Sequence, residues 1–187
     1  MPRLVGAKDR RGLSQVVTTL IMLTVSVLLS GVVIYYTVNI VSVRLQTEQV
    51  RLSKEAIWVN STGAVAGLKV QNLGGRDILV DKIEVRGVES SWSTVYYHRV
   101  PTGTSMTGDL NVTSYDNLNG GSVSIDGRTY SQATSDIPLI SGGELLIYIK
   151  GPDNVQMDDI GTTVSISVFT GLSQYITECN VESANQQ

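Results

Sequence analysis

The chain has 187 residues, of which 42% are hydrophobic and 17% are charged, and it carries a formal net charge of −3. This length suits about one ordinary domain with an appendage, and the acidic balance argues against a nucleic-acid partner, which would need a basic patch. A single cysteine, Cys179, excludes an internal disulfide framework, and a single histidine, His98, excludes most zinc and triad chemistry.

A long uncharged segment follows a basic N-terminus. The four basic residues that precede it are Arg3, Lys8, Arg10 and Arg11. No charged residue occurs from Leu13 to Val43, whereas the hydrocarbon core of a bilayer, about 30 Å thick, needs only roughly 20 apolar residues. The segment is therefore long enough to span a membrane, and the positive-inside rule predicts a cytoplasmic N-terminus with the rest of the chain outside.

Two ordinary targeting segments are alternative interpretations of this run. A secretory signal peptide has an apolar core of about 7–15 residues and an A-x-A-like cleavage site, but no alanine occurs between Ala7 and Ala56. A plain signal anchor fits the hydrophobicity equally well. It does not account for Gly12, which lies at the boundary between the charged and the apolar sequence.

The junction RRGLSQVV resembles the class III leader of type IV pilins and archaellins, and the segment GLSQVVTTLIMLTVSVLL is more similar to archaeal pilins than to archaellins. The resemblance implies cleavage by a prepilin peptidase on the cytoplasmic side, directly after a glycine or alanine. Arg10 and Arg11 match the basic pair. Gly12 matches the last leader residue, and Leu13 the first mature residue. Bacterial pilins usually carry a glutamate at the fifth mature position, here Val17, but archaeal members commonly lack it.

The resemblance also implies partners. Subunits would polymerise through their N-terminal helices into a helical homopolymer, served by a membrane assembly platform and a secretion ATPase, and the filament would contact surface or cell targets. Removal of residues 1–12 would leave 16 acidic against 10 basic residues, a net charge near −6. That charge again argues against nucleic acid as a partner.

A single helix is predicted over residues 13–58. The apolar residues of its second half recur near one face at three-to-seven-residue spacing, and they are Ile40, Val43, Val50 and Ile57. The small residues that could let neighbouring helices approach closely are Thr18, Thr19, Ser26, Ser30 and Gly31. Such a helix would be roughly 65–70 Å long, more than twice the bilayer core, so part of it must find partners other than lipid.

Residues 59–187 show the pattern of strands. The segments that alternate apolar and polar residues are GLKVQNLGG, ILVDKIEVRG, WSTVYYHRV, SVSIDGRTYS, ELLIYIKGP and TVSISVFTGLSQYITECNV. Asp126–Gly127 predicts a type I′ hairpin turn. Six to eight such strands favour an antiparallel β-sandwich of about 120–130 residues.

These elements together predict the α+β class, with a long N-terminal hydrophobic α-helix followed by an antiparallel β-sandwich. The segment KVQNLGGRDILVDKIEVRG is similar to the beginning of the immunoglobulin-like domain that often follows the helix in archaeal pilins and archaellins. The resemblance therefore implies an Ig-like sandwich outside the cell.

Few residues suggest catalysis or the binding of a metal or cofactor. No nucleophile elbow, Walker loop, dinucleotide-binding glycine motif or H-E-x-x-H pair occurs, so no enzyme, metal or cofactor is expected. His98 is predicted to be a strand residue and Cys179 a small buried hydrophobe. Two N-glycosylation sequons, at Asn60 and Asn111, fit an exposed extracellular domain.

The sequence thus predicts a structural subunit of an extracellular archaeal type IV pilus-like filament. Three alternatives stay open: an archaellin of a swimming filament, a monomeric membrane-anchored extracellular binding module, and a minor, initiating or adhesive pilin.

Overall fold

The computed structural model describes residues 8–152 and 154–184, with the backbone alone for residues 8–12 and 44–46. The chain divides into two compact units, Met1–Arg44 and Leu45–Gln187. The first is dominated by one helix, α1, and the second, the β-domain, contains all the described strands. This architecture confirms the predicted α+β class.

Helix α1 spans Lys8–Gln46, which is 39 residues. It contains no proline and a single internal glycine beyond the predicted leader, Gly31, so nothing in its interior removes a backbone hydrogen bond. The helical hydrogen-bond pattern is not continued after α1, because the Gln49 carbonyl accepts hydrogen bonds from the amides of Leu73 at 2.7 Å and Gly74 at 3.1 Å. The helix predicted to continue to Trp58 is therefore wrong beyond Gln46.

The segment after the helix forms strand β1, Val50–Asn60. A β-bulge lies between Ser53 and Ala56, where Lys54 has a φ of 59°. The inserted residue shifts the alternation, so that Val50 and Ile57, seven residues apart, both lie in the same core. A seven-residue apolar spacing is also typical of a helix, which explains why the sequence predicted the wrong element.

The strands that follow are β2 Gly63–Asn72, β3 Ile78–Val85, β4 Val88–Glu89, β5 Val95–Val100, β6 Ser122–Ile125, β7 Arg128–Gln132, β8 Ile137–Leu139, β9 Glu144–Lys150, β10 Thr163–Thr170 and β11 Gln174–Ser183. They form one sheet in the order β4-β3-β10-β11-β1-β2-β9-β5-β7-β6, with β8 also pairing with β3. Among the described strands, every pairing is antiparallel except that of β1 with β11. The predicted hairpin turn is confirmed, since Asp126 and Gly127 have φ values of 51° and 69° and join β6 to β7.

The sheet curls so that its two halves enclose an inner core, as a sandwich does. Residues from both halves, such as Val80 of β3 and Ile147 of β9, are fully buried in it. A second, outer core lies on the opposite face of β2, β9 and β5. There the segment between β5 and β6 supplies Leu110 and Leu118, which cover Tyr148. Strands β2 and β9 are consequently buried on both faces.

Candidate assembly helix and leader junction

The side chains of α1 form an apolar surface around the whole helix. Every residue from Leu13 to Val43 is exposed; Leu29, for example, is 60% and Ile34 63% accessible. This segment of 31 residues has a mean hydropathy of 2.4, and by length and composition it is able to cross a membrane. A helix that is apolar on all sides is normally buried in lipid or protein, so this surface requires a cover from outside the chain.

Seven polar side chains of this surface are hydrogen-bonded within the helix. The residues that donate to a carbonyl three or four positions earlier are Thr18, Thr19, Thr24, Ser26, Ser30, Thr37 and Asn39. Typical distances are 2.8 Å from Thr18 Oγ1 to the Ser14 carbonyl and 2.7 Å from Ser26 Oγ to the Met22 carbonyl. An unpaired donor in an apolar environment costs several kcal/mol, so these bonds let the hydroxyls enter lipid or a protein core.

Gly31 provides a local depression on the helix. A Cβ atom added there would meet no atom of the described residues within 4 Å, so packing against them does not require glycine. Glycine inside a helix costs about 1 kcal/mol relative to alanine. A small residue at this position suits the close approach of a second helix.

The predicted cleavage junction lies near the beginning of α1. The backbone of Arg10, Arg11 and Gly12 is helical and continues into Leu13, whose side chain is 72% exposed. Residues 1–7 and the side chains of residues 8–12 lie outside the described part of the chain. Cleavage after Gly12 therefore stays a prediction.

The two predicted glycosylation sequons both lie at the surface of the β-domain. Asn60, at the end of β1, accepts hydrogen bonds at its Oδ1 from the Thr62 amide, the Thr62 hydroxyl and the Gly63 amide, at 2.7–3.0 Å. Asn111 is exposed, whereas Thr113 of the same sequon is only 5% exposed. Modification of either asparagine stays a prediction.

The two residues that could suggest catalysis have structural surroundings. His98 lies in β5 as predicted, with its Nδ1 2.8 Å from the Thr129 carbonyl. Cys179 is half-buried, and burial, together with the charges of Glu55 and Glu182, raises the pKa of its thiol to about 11. Such a thiol is a poor nucleophile at neutral pH. Within the described residues, no group of three or more His, Cys, Asp or Glu side chains could hold a metal ion.

A buried ion pair was missed by sequence reasoning. Lys69 Nζ lies 2.9 Å from Glu144 Oε2, and both side chains are less than a tenth exposed. Ser105 and Gln71 donate to Glu144 Oε1, while Lys69 also donates to the Met106 carbonyl at 3.0 Å. The pair therefore fastens the segment after β5 to the outer face of the sheet.

The surroundings of Glu144 also affect its pKa. Burial alone would raise the pKa of Glu144, but the hydrogen bonds from Lys69, Ser105 and the Met106 amide outweigh burial and lower it. Lys69 is the charged member of the apolar strand GLKVQN, where alternation predicts an exposed side chain. The sequence therefore does not indicate that Lys69 is buried.

No known protein family matches the chain, and no curated protein matches it. The described architecture, a long apolar N-terminal helix followed by a β-rich domain, is compatible with that of pilins.

Proposed function

We propose that this chain is a structural subunit of an extracellular, archaeal type IV pilus-like filament that acts in surface adhesion. The precursor is held in the cell membrane with its N-terminus in the cytoplasm, and a prepilin peptidase removes residues 1–12. An assembly platform and a secretion ATPase then polymerise the mature chain through α1. The β-domain forms the outside of the filament and makes its surface contacts.

The observation that carries this proposal is the length of the apolar surface. At 1.5 Å per residue, Leu13–Val43 extends about 46 Å, against a hydrocarbon core of about 30 Å. Fitting the whole segment into lipid would need a tilt of about 50°, beyond the usual range of about 0–40°. About ten uncharged, mostly apolar residues therefore remain for protein neighbours to cover, and copies of the same helix provide a matching surface.

The position of two tyrosines supports the same division. Tyr35 and Tyr36 follow the first twenty-odd residues of the segment, and their exposed rings stand edge to face with centroids 5.8 Å apart. Tyrosine is enriched at membrane interfaces because its ring is apolar and its hydroxyl polar. In the precursor, lipid would then cover the helix up to about Ile34, leaving Thr37–Val43 outside it.

A monomeric membrane-anchored binding module is the second candidate, because the same segment satisfies the requirements of a simple anchor. In that case the last ten residues of the segment, most of them apolar, would stay in contact with water or the membrane surface. An archaellin shares all the features above, and loss of swimming in cells that lack the chain distinguishes it from a pilin.

Mass spectrometry and electron microscopy of purified surface filaments test the proposal. We expect helical filaments whose subunit begins at Leu13. Replacing Gly12 with valine should block cleavage and leave precursor in the membrane, whereas Gly12→Ala, the matched control, should be processed. Mature protein that stays monomeric in the membrane, with no filament on any cell, would favour the anchored module.

A further inference from the structure

Strands β1 and β11 are neighbours over only a short distance. They pair in parallel through Ile57–Val59 and residues 181–183. Upstream of this contact the two strands separate, and no strand within the described residues fills the gap. The gap opens into a groove of about 490 Å³ between Gln49–Leu52 on one side and Tyr175–Thr177 on the other.

The edge of β11 that faces this groove is regular. At the closed end of the β10–β11 hairpin, the Thr170 amide donates to the Ser173 carbonyl at 2.9 Å, and the pairing continues without a register shift to residues 163 and 180. Hydrogen-bonded and non-hydrogen-bonded pairs alternate in an antiparallel ladder. The main-chain groups of Tyr175, Thr177 and Cys179 therefore point to β10, whereas those of Ile176 and Glu178 point into the gap.

The opposite side of the groove is a poor template for a strand. The bulge between Ser53 and Ala56, with Lys54 in the left-handed region, interrupts the edge of β1. Proteins commonly protect exposed edges in this way. The edge of β11 from Gln174 to Asn180 carries neither a bulge nor a proline, so it lacks the same protection.

Side chains around the β11 edge are incompletely covered. Tyr175 and Cys179 pack against the inner core but stay partly exposed, and Ile176 is 61% exposed. Arg51 lines the groove near its outer end, and Glu55 lies further along β1, toward the point where β1 and β11 pair. Oε2 of Glu55 is buried and has no hydrogen-bond partner within the described residues.

We propose that the free edge of β11, Gln174–Asn180, is a docking site for an extended segment of another protein, which adds a strand to the sheet. Main-chain hydrogen bonds to Ile176 and Glu178 would hold the segment, as in other cases of strand addition. Its apolar side chains would cover Tyr175 and Cys179. A lysine or arginine on it would pair with the unpartnered carboxylate oxygen of Glu55. This site would operate in a filament subunit or in an anchored module alike.

Binding of a synthetic strand to the full chain in lipid nanodiscs tests the proposal. The probe is a capped, fluorescent peptide of about eight residues in which valine alternates with lysine and threonine. We expect Ile176→Pro to weaken binding at least about tenfold, because it removes an edge amide without removing a bond to β10. Ile176→Val keeps that amide and should bind within about twofold of the unchanged chain.

Two altered peptides complete the experiment. N-methylation of alternate amides should abolish binding, and glutamate in place of lysine should weaken it. Absence of binding by the unchanged chain, or equal affinity for the N-methylated peptide or for a folded Ile176→Pro variant, would overturn the proposal. If Ile176→Pro does not fold, the N-methylated peptide decides. A third outcome is that the chain binds no peptide but associates with itself, and that Ile176→Pro abolishes this self-association. That outcome would identify a second copy as the occupant and overturn the assignment to another protein.

Discussion

Helix α1 and the β-domain use the same apolar residue types in opposite ways. Ile34 in α1 is 63% exposed, whereas Ile83 in β3 is fully buried. Burying such a side chain contributes roughly 1.5–3 kcal/mol. The β-domain gains this free energy within the chain, but α1 gains it only when lipid or another protein covers it. The comparison shows that the β-domain contains its own core, whereas the apolar side chains of α1 are exposed.

The largest expected effect concerns the boundary between these two regions. A fragment from Leu45 to Gln187 should fold as a soluble β-sheet domain, whereas a fragment from Ser61 should not. The second fragment lacks β1, which lies between β11 and β2 and supplies Ile57 to the inner core. Circular dichroism and thermal melting provide the measurement. A stable, cooperative β-domain that begins at Ser61 would contradict the assigned role of β1.

The next effect concerns a charge on the helix. Ile34→Asp should abolish filaments, since an unpaired carboxylate in a dry core costs several kcal/mol in every subunit. Ile34→Leu is the matched control and should assemble. Filament yield is measured for both variants beside the amount of precursor in the membrane. Undiminished filaments from the aspartate variant would show that this face of α1 is exposed to water.

Breaking the buried ion pair of the β-domain should lower the stability of that domain whether or not the chain is assembled. Lys69→Met leaves Glu144 buried without its cation, and breaking a buried pair costs about 3–5 kcal/mol. Adding Glu144→Leu should recover part of this loss, because no buried charge then remains. Denaturant unfolding measures both free energies. If the Lys69→Met variant were as stable as the unchanged domain, water would have to reach Glu144.

Two matched truncations compare the cores of the two regions directly. Leu68, fully buried in β2, and Leu29, 60% exposed in α1, are each changed to alanine. Leu68→Ala should lower the free energy of unfolding of the β-domain by about 2–5 kcal/mol. Leu29→Ala should leave membrane insertion intact and lower only the thermal stability of filaments. If Leu29→Ala filaments keep their thermal stability, the Leu29 side chain does not pack against a neighbouring subunit.

The smallest effect is one of pH on the β-domain. The pKa of Glu144 is lowered in the folded state from its usual value of 4.5. The folded form thus favours the carboxylate, and the resulting stability is present above that usual value and is lost as the pH falls through the folded-state pKa. The melting temperature should therefore fall in acid, and more weakly for Glu144→Gln. Equal acid sensitivity in both proteins would assign the effect to other carboxylates.

Much of the strand pattern could be predicted because it depends on local alternation. The segments around β2, β3, β5, β9, β10 and β11 were all identified from it. The pairing of β1 with β11 could not be, since it joins residues more than a hundred positions apart. The burial of Lys69 depends on the segment after β5 crossing the sheet, which alternation within β2 does not encode.

The sequence by itself determined that residues 13–43 form an apolar surface, because composition alone decides whether such a segment can enter lipid. It also determined the hairpin at Asp126–Gly127, since a type I′ turn requires two residues that tolerate positive φ. Only the tertiary structure decided that the helix ends at Gln46 and that β1 joins the sheet. The physical reason is that Val50–Asn60 fits either a helical or a bulged-strand pattern, and the neighbouring strands β2 and β11 favour the strand.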